Sequence, residues 1–333
     1  MNRLAARSRT GIHILSVARS AESKAPRILL LLPLLLALTS SAHAQKNTAS
    51  AVSGQTVYTL TQQFLAAAPK RYNGSPGHAA AEKFIADHFK PEAAKGNFEK
   101  DEFTVNTPAG PQTMRNFIVR FHGKRDGVIV LASHYETNYP LRNIHFVGAN
   151  DGACTTALLI AIGQYFRLHP PTGYSVWLLF DDGEEAVQDW YYQAYTDHTY
   201  GTRHLAAKWY SDGTDRRIKA FVVADMIGDK DLNIDRVTNS TPWLLDALRT
   251  AAKNTGHSAN IFKYSEDEQD DHEPFAQRGV PVLDVIDAHY GNTPDMPDGY
   301  HHTADDTIDK ISPQSLQISA DIFLELIRLI NQR

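Results

Sequence analysis

The sequence predicts an α/β domain in which helices cover both faces of a mixed, mostly parallel β-sheet, forming a three-layer sandwich. Short, continuously apolar segments of strand length alternate with longer segments of helical periodicity. Strands of this kind are buried on both faces, as in parallel sheets with helical crossovers. The 333 residues are 42% hydrophobic and 21% charged, which is typical of a folded chain and not of a disordered one.

The individual elements can be justified in chain order. A helix is expected at 77–90, where apolar residues have helical spacing after Pro76. Segments 98–105 and 114–121 bracket a turn-rich stretch and predict an antiparallel hairpin. The predicted buried strands are 128–133, 175–180, 220–224 and 280–286, and the remaining predicted helices are 153–168, 203–211, 241–254 and 313–330.

The first 44 residues are expected to be a signal peptide. Basic residues up to Arg27 precede an apolar run at 28–38, and Ala42-His43-Ala44 offers a signal-peptidase site. The run has about eleven residues, whereas a spanning helix needs roughly 20, so no permanent membrane anchor is expected. Residues 45–53 are small and polar and predict a linker. Residues 54–333 are then expected to form a single domain that is secreted or periplasmic.

Composition excludes several kinds of partner and site. The formal net charge is −5, and the chain after residue 44 carries 27 basic and 37 acidic side chains. A nucleic-acid or anionic-lipid partner is therefore not expected. Cys154 is the single cysteine, which excludes an intrachain disulfide and a cysteine-only metal cluster.

Polar side chains follow three of the predicted strands. His134 comes directly after the first strand, Asp181 after the second and Asp225 after the third. Ligands in open α/β sheets bind beyond the carboxyl ends of the strands, so we expect these side chains to converge. Loops supply two further candidates, Asp151 before a predicted helix and the pair His301-His302.

Imidazole and carboxylate groups without cysteine are a suitable ligand set for zinc. We take Asp151, Glu185 and His302 as candidate ligands, with one coordination position open for substrate. Glu184 directly precedes Glu185, and we expect one of the two to bind metal while the other transfers protons. Gly183 allows a tight turn that brings both to the site. The alternative interpretation of these neighbours is a solvated acidic turn.

Eight stretches of the sequence resemble the animal-type glutaminyl-peptide cyclotransferases, which share a fold with the bacterial zinc aminopeptidases. They extend over about residues 71–330, and most would also occur in an aminopeptidase of this fold. Two features favour the cyclotransferases, namely Trp190 five residues after Glu185 and the loop sequence Gln269-Asp270-Asp271-His272. The stretches are Arg71-Tyr-Asn-Gly-Ser-Pro-Gly77, Ser133-His-Tyr135, Phe146-Val-Gly-Ala-Asn-Asp151, Phe180-Asp-Asp-Gly-Glu-Glu-Ala186, Tyr200-Gly-Thr-Arg-His-Leu-Ala206, Gln269-Asp-Asp-His-Glu-Pro-Phe275, Arg278-Gly-Val-Pro-Val-Leu283 and His302-Thr-Ala-Asp-Asp306.

The resemblance implies an activity and a role for each candidate residue. The activity is zinc-assisted conversion of the N-terminal glutamine of a peptide or protein to pyroglutamate, with release of ammonia. The resemblance implies that one zinc ion is bound by Asp151, Glu185 and His302, and that His134 is not a ligand. It implies that Glu184 is the general acid and base, beside a carboxylate network completed by Asp225 and Asp270. Trp190 and His301 would line the substrate pocket.

Three departures from the animal family bear on substrate affinity and metal count. His301 stands where the animal enzymes carry tryptophan, Asp284 replaces a pocket histidine, and Glu136 replaces an aspartate. A second zinc ion on His134 and Asp225 would instead give a secreted two-zinc aminopeptidase that releases N-terminal amino acids.

A third interpretation is a secreted binding domain with a structural metal. Glu184 beside a predicted ligand argues against it, because structural zinc sites usually have four protein ligands.

Overall fold

A computed structural model describes residues 51–192, 196–293, 296 and 299–333. The predicted signal peptide, 1–44, and residues 45–50 of the predicted linker lie outside the described residues. From Thr48 to Arg333 the chain forms one unit. None of the helices in the described ranges combines the length and the apolar character that a membrane crossing requires.

A six-stranded mixed sheet forms the centre of this unit, with strand order β1-β2-β4-β3-β5-β8. The hairpin β1–β2 is antiparallel, as the sequence predicts, and β2 pairs antiparallel with β4. The pairs β3–β4, β3–β5 and β5–β8 are parallel. The strands of this sheet are β1 (Phe98–Thr107), β2 (Gly110–Phe121), β3 (Arg125–His134), β4 (Tyr174–Asp181), β5 (Ile218–Asp225) and β8 (Val282–Ile286).

Helices cover both faces of the sheet, so the predicted three-layer α/β sandwich is confirmed. The described helices are α1 (Gly54–Ala67), α2 (Pro76–His88), α3 (Lys90–Ala93), α4 (Cys154–Leu168), α5 (Tyr200–Asp212), α6 (Pro242–Thr255), α7 (Glu273–Ala276) and α8 (Pro313–Ile330). Alternate residues of β3 enter opposite cores. Ile129 and Leu131 pack with α1, α4, α6 and α8, whereas Val128 and Val130 pack with α5 and α7.

Several elements of the fold are absent from the sequence prediction. Helix α1 and the short helices α3 and α7 were not among the predicted elements. A separate parallel pair consists of β6 (Ile234–Val237) and β7 (Ile261–Glu266). These strands are short, and β7 is mostly exposed, so neither has the continuous apolar pattern of a buried strand.

Candidate active site

The carboxyl ends of the central strands bring histidine and aspartate side chains together. β3 ends at His134, which pairs in register with Asp181 at the end of β4. β5 ends at Asp225, and Oδ1 of Asp225 lies 3.5 Å from Nε2 of His134. The convergence expected from three successive strand ends is therefore observed.

Asp151 lies in an irregular turn between β3 and α4. Its backbone has φ −82° and ψ 94°, and Gly152 follows with φ 82°. A Cβ atom at residue 152 would lie 2.8 Å from Cε1 of His134, so this position requires glycine. Oδ1 of Asp151 lies 3.1 Å from Nε2 of His134, and Oδ2 lies 3.5 Å from Nε2 of His302. One carboxylate thus faces two histidines through different oxygens.

The two glutamates after β4 reach the same cleft. Gly183 has φ 77°, and the carbonyl groups of Gly183 and Glu184 accept hydrogen bonds from N–H groups at the start of α5. Oε2 of Glu185 lies 3.0 Å from Nε2 of His302 and accepts a hydrogen bond from Nδ2 of Asn138 at 2.7 Å. The turn at glycine therefore places both carboxylates in the wall of one cleft.

The pair His301-His302 lies beside the carboxylates of Asp151 and Glu185. His302 has φ 56°, a backbone conformation that is uncommon for a residue with a side chain. The rings of His301 and His302 stack with their centroids 3.8 Å apart, and Nε2 of His301 lies 4.0 Å from Oδ2 of Asp151. His301, predicted to bind substrate, is therefore also within reach of an ion held by Asp151 and His302.

Buried carboxylates surround Glu184. Burial raises the pKa of Glu184 well above its usual range, and although His134 opposes this shift, the charges of Glu185 and Asp270 reinforce it. Burial, and then the charge of Asp225, likewise raise the pKa of Asp270 well above normal. A raised pKa brings such carboxyl groups closer to the range in which they can both accept and release a proton near neutral pH.

Asp284 on β8 extends the acidic network behind the cleft. It is fully buried, and burial followed by the charges of Asp270 and Asp225 raises its pKa well above normal. Nδ1 of His272 lies 3.6 Å from Oδ2 of Asp284, and burial lowers the pKa of His272 to about 4. Asp284, which stands where the animal family carries a histidine, therefore favours its neutral form.

Trp190 lies on a loop that other polar groups hold in place. Its Nε1 donates a hydrogen bond to Oε1 of Gln269 at 3.0 Å, and its ring stacks on His198 with centroids 4.0 Å apart. Oδ2 of Asp197 accepts hydrogen bonds from the backbone N–H groups of residues 188 and 189. The indole therefore has a defined position in the cleft wall.

All eight predicted site residues line one cleft of about 890 Å³. They are Asp151, Glu184, Glu185, Trp190, Asp225, Asp270, His301 and His302. His134, which the sequence suggested as a ligand only for a second ion, lies behind the wall and is 2% exposed. The volume is within the range of small-molecule and peptide sites.

Arg71 is a supporting residue to which the sequence analysis assigned no role. Its guanidinium is fully buried and donates hydrogen bonds to the backbone carbonyls of Tyr135, Val147, Gly148 and Asp151. Arg71 thereby fixes the turn that carries the candidate ligand. An arginine next to the Gly-Ser-Pro-Gly turn was the available sequence signal, but its partners are 64 to 80 residues away.

Asp306 supports the same turn from the other side. Its two carboxylate oxygens accept hydrogen bonds from the backbone N–H groups of Asn150 and Asp151, at 2.9 and 3.2 Å. When a group that orients a metal ligand in this way is mutated, metal affinity commonly falls about tenfold or more. The sequence showed Asp306 only as part of a matching stretch after His302.

Comparison with known proteins identifies the family to which this chain belongs. A sequence model of peptidase family M28 matches residues 116–327. The glutaminyl-peptide cyclotransferase of Boiga dendrophila is 30% identical in an alignment 294 residues long. The match covers 77% of this chain and 78% of the relative. The chain belongs to the glutaminyl-peptide cyclotransferases of peptidase family M28.

Solved structures agree with this family. The crystal structure of an Acidobacteriales bacterium glutaminyl cyclase has 69% sequence identity and a TM-score of 0.83, and covers 88% of this chain and 99% of that one. A Zn-dependent exopeptidase from Parabacteroides distasonis has 20% identity and a TM-score of 0.70, with 85% of this chain and 99% of that chain covered. This second likeness concerns the fold alone.

Replacing Arg71 with methionine is expected to destabilise this cyclotransferase. The change leaves four backbone carbonyls and nearby carboxylates without their buried cation, at a cost of about 3–5 kcal/mol in the free energy of unfolding. Urea unfolding measures the loss. Arg328→Met is the matched control, because Arg328 is 50% exposed and pairs with Glu325 at the surface, so it should cost about 0–1 kcal/mol. Equal costs for both variants would contradict the role of Arg71.

Glu268 at the rim of the cleft should make stability depend on pH. Burial, followed by the charges of Glu266 and Asp235, raises its pKa from 4.5 to about 7 in the folded protein. Because the folded state holds this proton more tightly, its contribution to stability is lost as the pH rises from about 4.5 to above 7. Glu268→Gln should therefore raise the melting temperature, relative to the parent protein, more at pH 8 than at pH 5.

Asp87→Asn is the control for this pH effect. Hydrogen bonds from Lys83 and Lys90 lower the pKa of Asp87 to about 2, so this residue is ionised in the folded and unfolded states throughout pH 5–8. Its substitution should shift the melting temperature equally at both pH values. A Glu268→Gln effect that does not change with pH would contradict the raised pKa.

Proposed function

We propose that this chain converts the N-terminal glutamine of peptides or proteins to pyroglutamate. The α-amine attacks the γ-amide carbon of the same residue, so that a new C–N bond forms and the bond to the amide nitrogen breaks. The proton that the amine gives up leaves with that nitrogen as ammonia. The observation that carries the proposal is Glu184, a buried carboxylate of raised pKa next to Glu185 in the cleft of a cyclotransferase-family chain.

The groups around Asp151 fit a zinc ion. Oδ2 of Asp151 is buried and lacks a hydrogen-bond partner among the described residues. Nε2 of His302 lies 3.5 Å from this oxygen and 3.0 Å from Oε2 of Glu185. Zinc bonds of about 2.0–2.1 Å in a tetrahedral arrangement place ligands about 3.3 Å apart. A zinc ion bound by these three residues would polarise the γ-carbonyl group of the substrate.

We infer a single resident ion, on Asp151, Glu185 and His302. A catalytic metal must keep a position open to substrate, and these three residues all line the cleft. His134 does not line it, which argues against an ion there that substrate can reach. The carboxylates of Asp151 and Asp225 around His134 raise its pKa well above normal despite the opposing effect of burial.

Glu184 would transfer the proton in this reaction. Its raised pKa suits a group that accepts a proton from the amine and returns it to the departing nitrogen. Asp225 and Asp270, which line the same cleft, would hold the amine. Trp190 and His301 would enclose the glutamine side chain and orient the intramolecular attack.

We also propose that residues 1–44 are a signal peptide and that the domain from residue 54 acts outside the cytoplasm. The support is the basic, apolar and small-residue pattern that ends at Ala44. Helix α1 begins at Gly54, and Val52, which belongs to the predicted linker, is buried in the core of the domain.

Aminopeptidase activity is the second candidate function. Nε2 of His134 lies 3.1 Å from Asp151 and 3.5 Å from Asp225, so these three residues could hold a second ion. A water molecule deprotonated by Glu184 would then cleave the first peptide bond. This reaction differs from cyclisation in its products, because it shortens the peptide by one residue.

Glu184→Gln should lower kcat on a glutamine-initiated peptide by about 10²–10⁴-fold and leave the metal content unchanged. The reason is that glutamine has nearly the same shape but cannot accept the amine proton. Ammonia release measures the rate, and mass spectrometry of the peptide identifies the product.

Glu325→Gln is the control, since Glu325 lies on α8 and pairs with Arg328. It should retain the parent rate. Loss of 17 Da from an otherwise intact peptide is the mass change of ammonia release, as cyclisation requires. Cleavage of an amino-acid anilide, or shortening of the peptide by one residue, would favour the aminopeptidase instead, and full activity of Glu184→Gln would contradict the assigned role.

A further inference from the structure

The small sheet β6–β7 supports one wall of the active cleft through His289. His289 lines the active cleft and also a neighbouring cleft of about 330 Å³, and Asn292 lines both as well. The two clefts are therefore adjacent along a shared wall. Tyr264 and Tyr300 line the second cleft together with charged residues of both signs.

The imidazole of His289 is held on two sides by the small sheet. Nδ1 lies 3.0 Å from Oδ2 of Asp235 on β6 and 3.3 Å from Oε1 of Glu266 on β7. The ring stacks on Tyr264 of β7, with centroids 3.7 Å apart and planes at 16°. Asp235 is fully buried, whereas the side chain of His289 is 26% exposed. A buried carboxylate thus fixes the orientation of a partly exposed ring.

A purely structural role does not account for all of these contacts. Oδ2 of Asp235 also accepts a hydrogen bond from the backbone N–H of Ala288 at 3.0 Å, which by itself fastens the loop to β6. The imidazole ring of His289 is a second group that Asp235 holds, in a fixed orientation. Nδ1 faces the two carboxylates, which leaves Nε2 available to a ligand, and no residue that the structure describes hydrogen-bonds to Nε2.

We propose that His289 binds the peptide backbone of the substrate beyond its N-terminal glutamine, and that the neighbouring cleft receives the residues that follow. The ligand class is a peptide chain, whose backbone N–H and carbonyl groups can hydrogen-bond with Nε2 as donors or as acceptors. Asp235 is a positioning residue that acts through His289. This inference rests on the proposed cyclotransferase function.

The test compares a short and a long substrate, Gln-Ala-amide and Gln-Ala-Ala-Ala-amide, by ammonia release. His289→Ala should raise KM for the long peptide about tenfold, the effect of one lost hydrogen bond, and leave kcat unchanged. KM and kcat for the short peptide should remain within about twofold of the parent values, because the proposal places the contact with His289 beyond the second residue of the substrate. The melting temperature reports whether the variant is folded.

Two further variants separate binding from folding. Asp235→Asn keeps an oxygen acceptor for Ala288 and for Nδ1, so KM for the long peptide should rise less than in His289→Ala. His257→Ala is the matched control, because His257 is also a partly exposed histidine beside an aspartate, with Nε2 3.3 Å from Oδ2 of Asp321 on α8. It should change neither substrate's constants.

The outcomes are distinguishable. Equal effects of His289→Ala on both peptides, or no effect on either, would overturn the inference while the cyclotransferase function stands. A loss confined to kcat would also overturn it. Parent protein that releases no ammonia from either peptide would instead remove the proposed function, and the inference with it.

Discussion

The concentration of carboxylates at one end of the sheet is the constraint that shapes the rest of this structure. Burying ionised carboxylates is costly unless cations or protons compensate for them. Arg71 supplies a cation behind the Asp151 turn, and His134 lies between Asp151 and Asp225. Burial raises the pKa values of Glu184 and Asp270, which favours their neutral forms. A metal ion on the proposed ligands Asp151, Glu185 and His302 would complete the balance on the side that faces substrate. The same crowding that would destabilise an ordinary core therefore prepares a site for proton transfer.

Much of this arrangement could be predicted from the sequence because strand topology links sequence position to location. Apolar runs identified the central strands, and their carboxyl ends had to meet at one edge. His134 and Asp225 were found in this way. Asp151, Glu185 and His302 followed from ligand chemistry, whereas Trp190 and Asp270 depended on family resemblance, since nothing in their local pattern indicates a cleft.

The parts that could not be predicted depend on contacts between distant residues. Arg71 binds carbonyl groups that lie 64 to 80 residues further along the chain. The strands β6 and β7 are short and partly exposed, so no apolar period marks them. Their role emerges only in three dimensions, where they fix His289 beside the cleft. The role of His301 was implied by the family resemblance, but its position 4.0 Å from Asp151, with its ring stacked on His302, emerges only in the folded structure.

The most direct test of the central claim is the position of bound metal in crystals of the zinc-loaded protein, located by anomalous diffraction at the zinc edge. Our account predicts one peak per chain, about 2.0–2.2 Å from ligand atoms of Asp151, Glu185 and His302. A fully occupied peak between His134 and Asp225, or a zinc ion bound only at some other cluster, would contradict it.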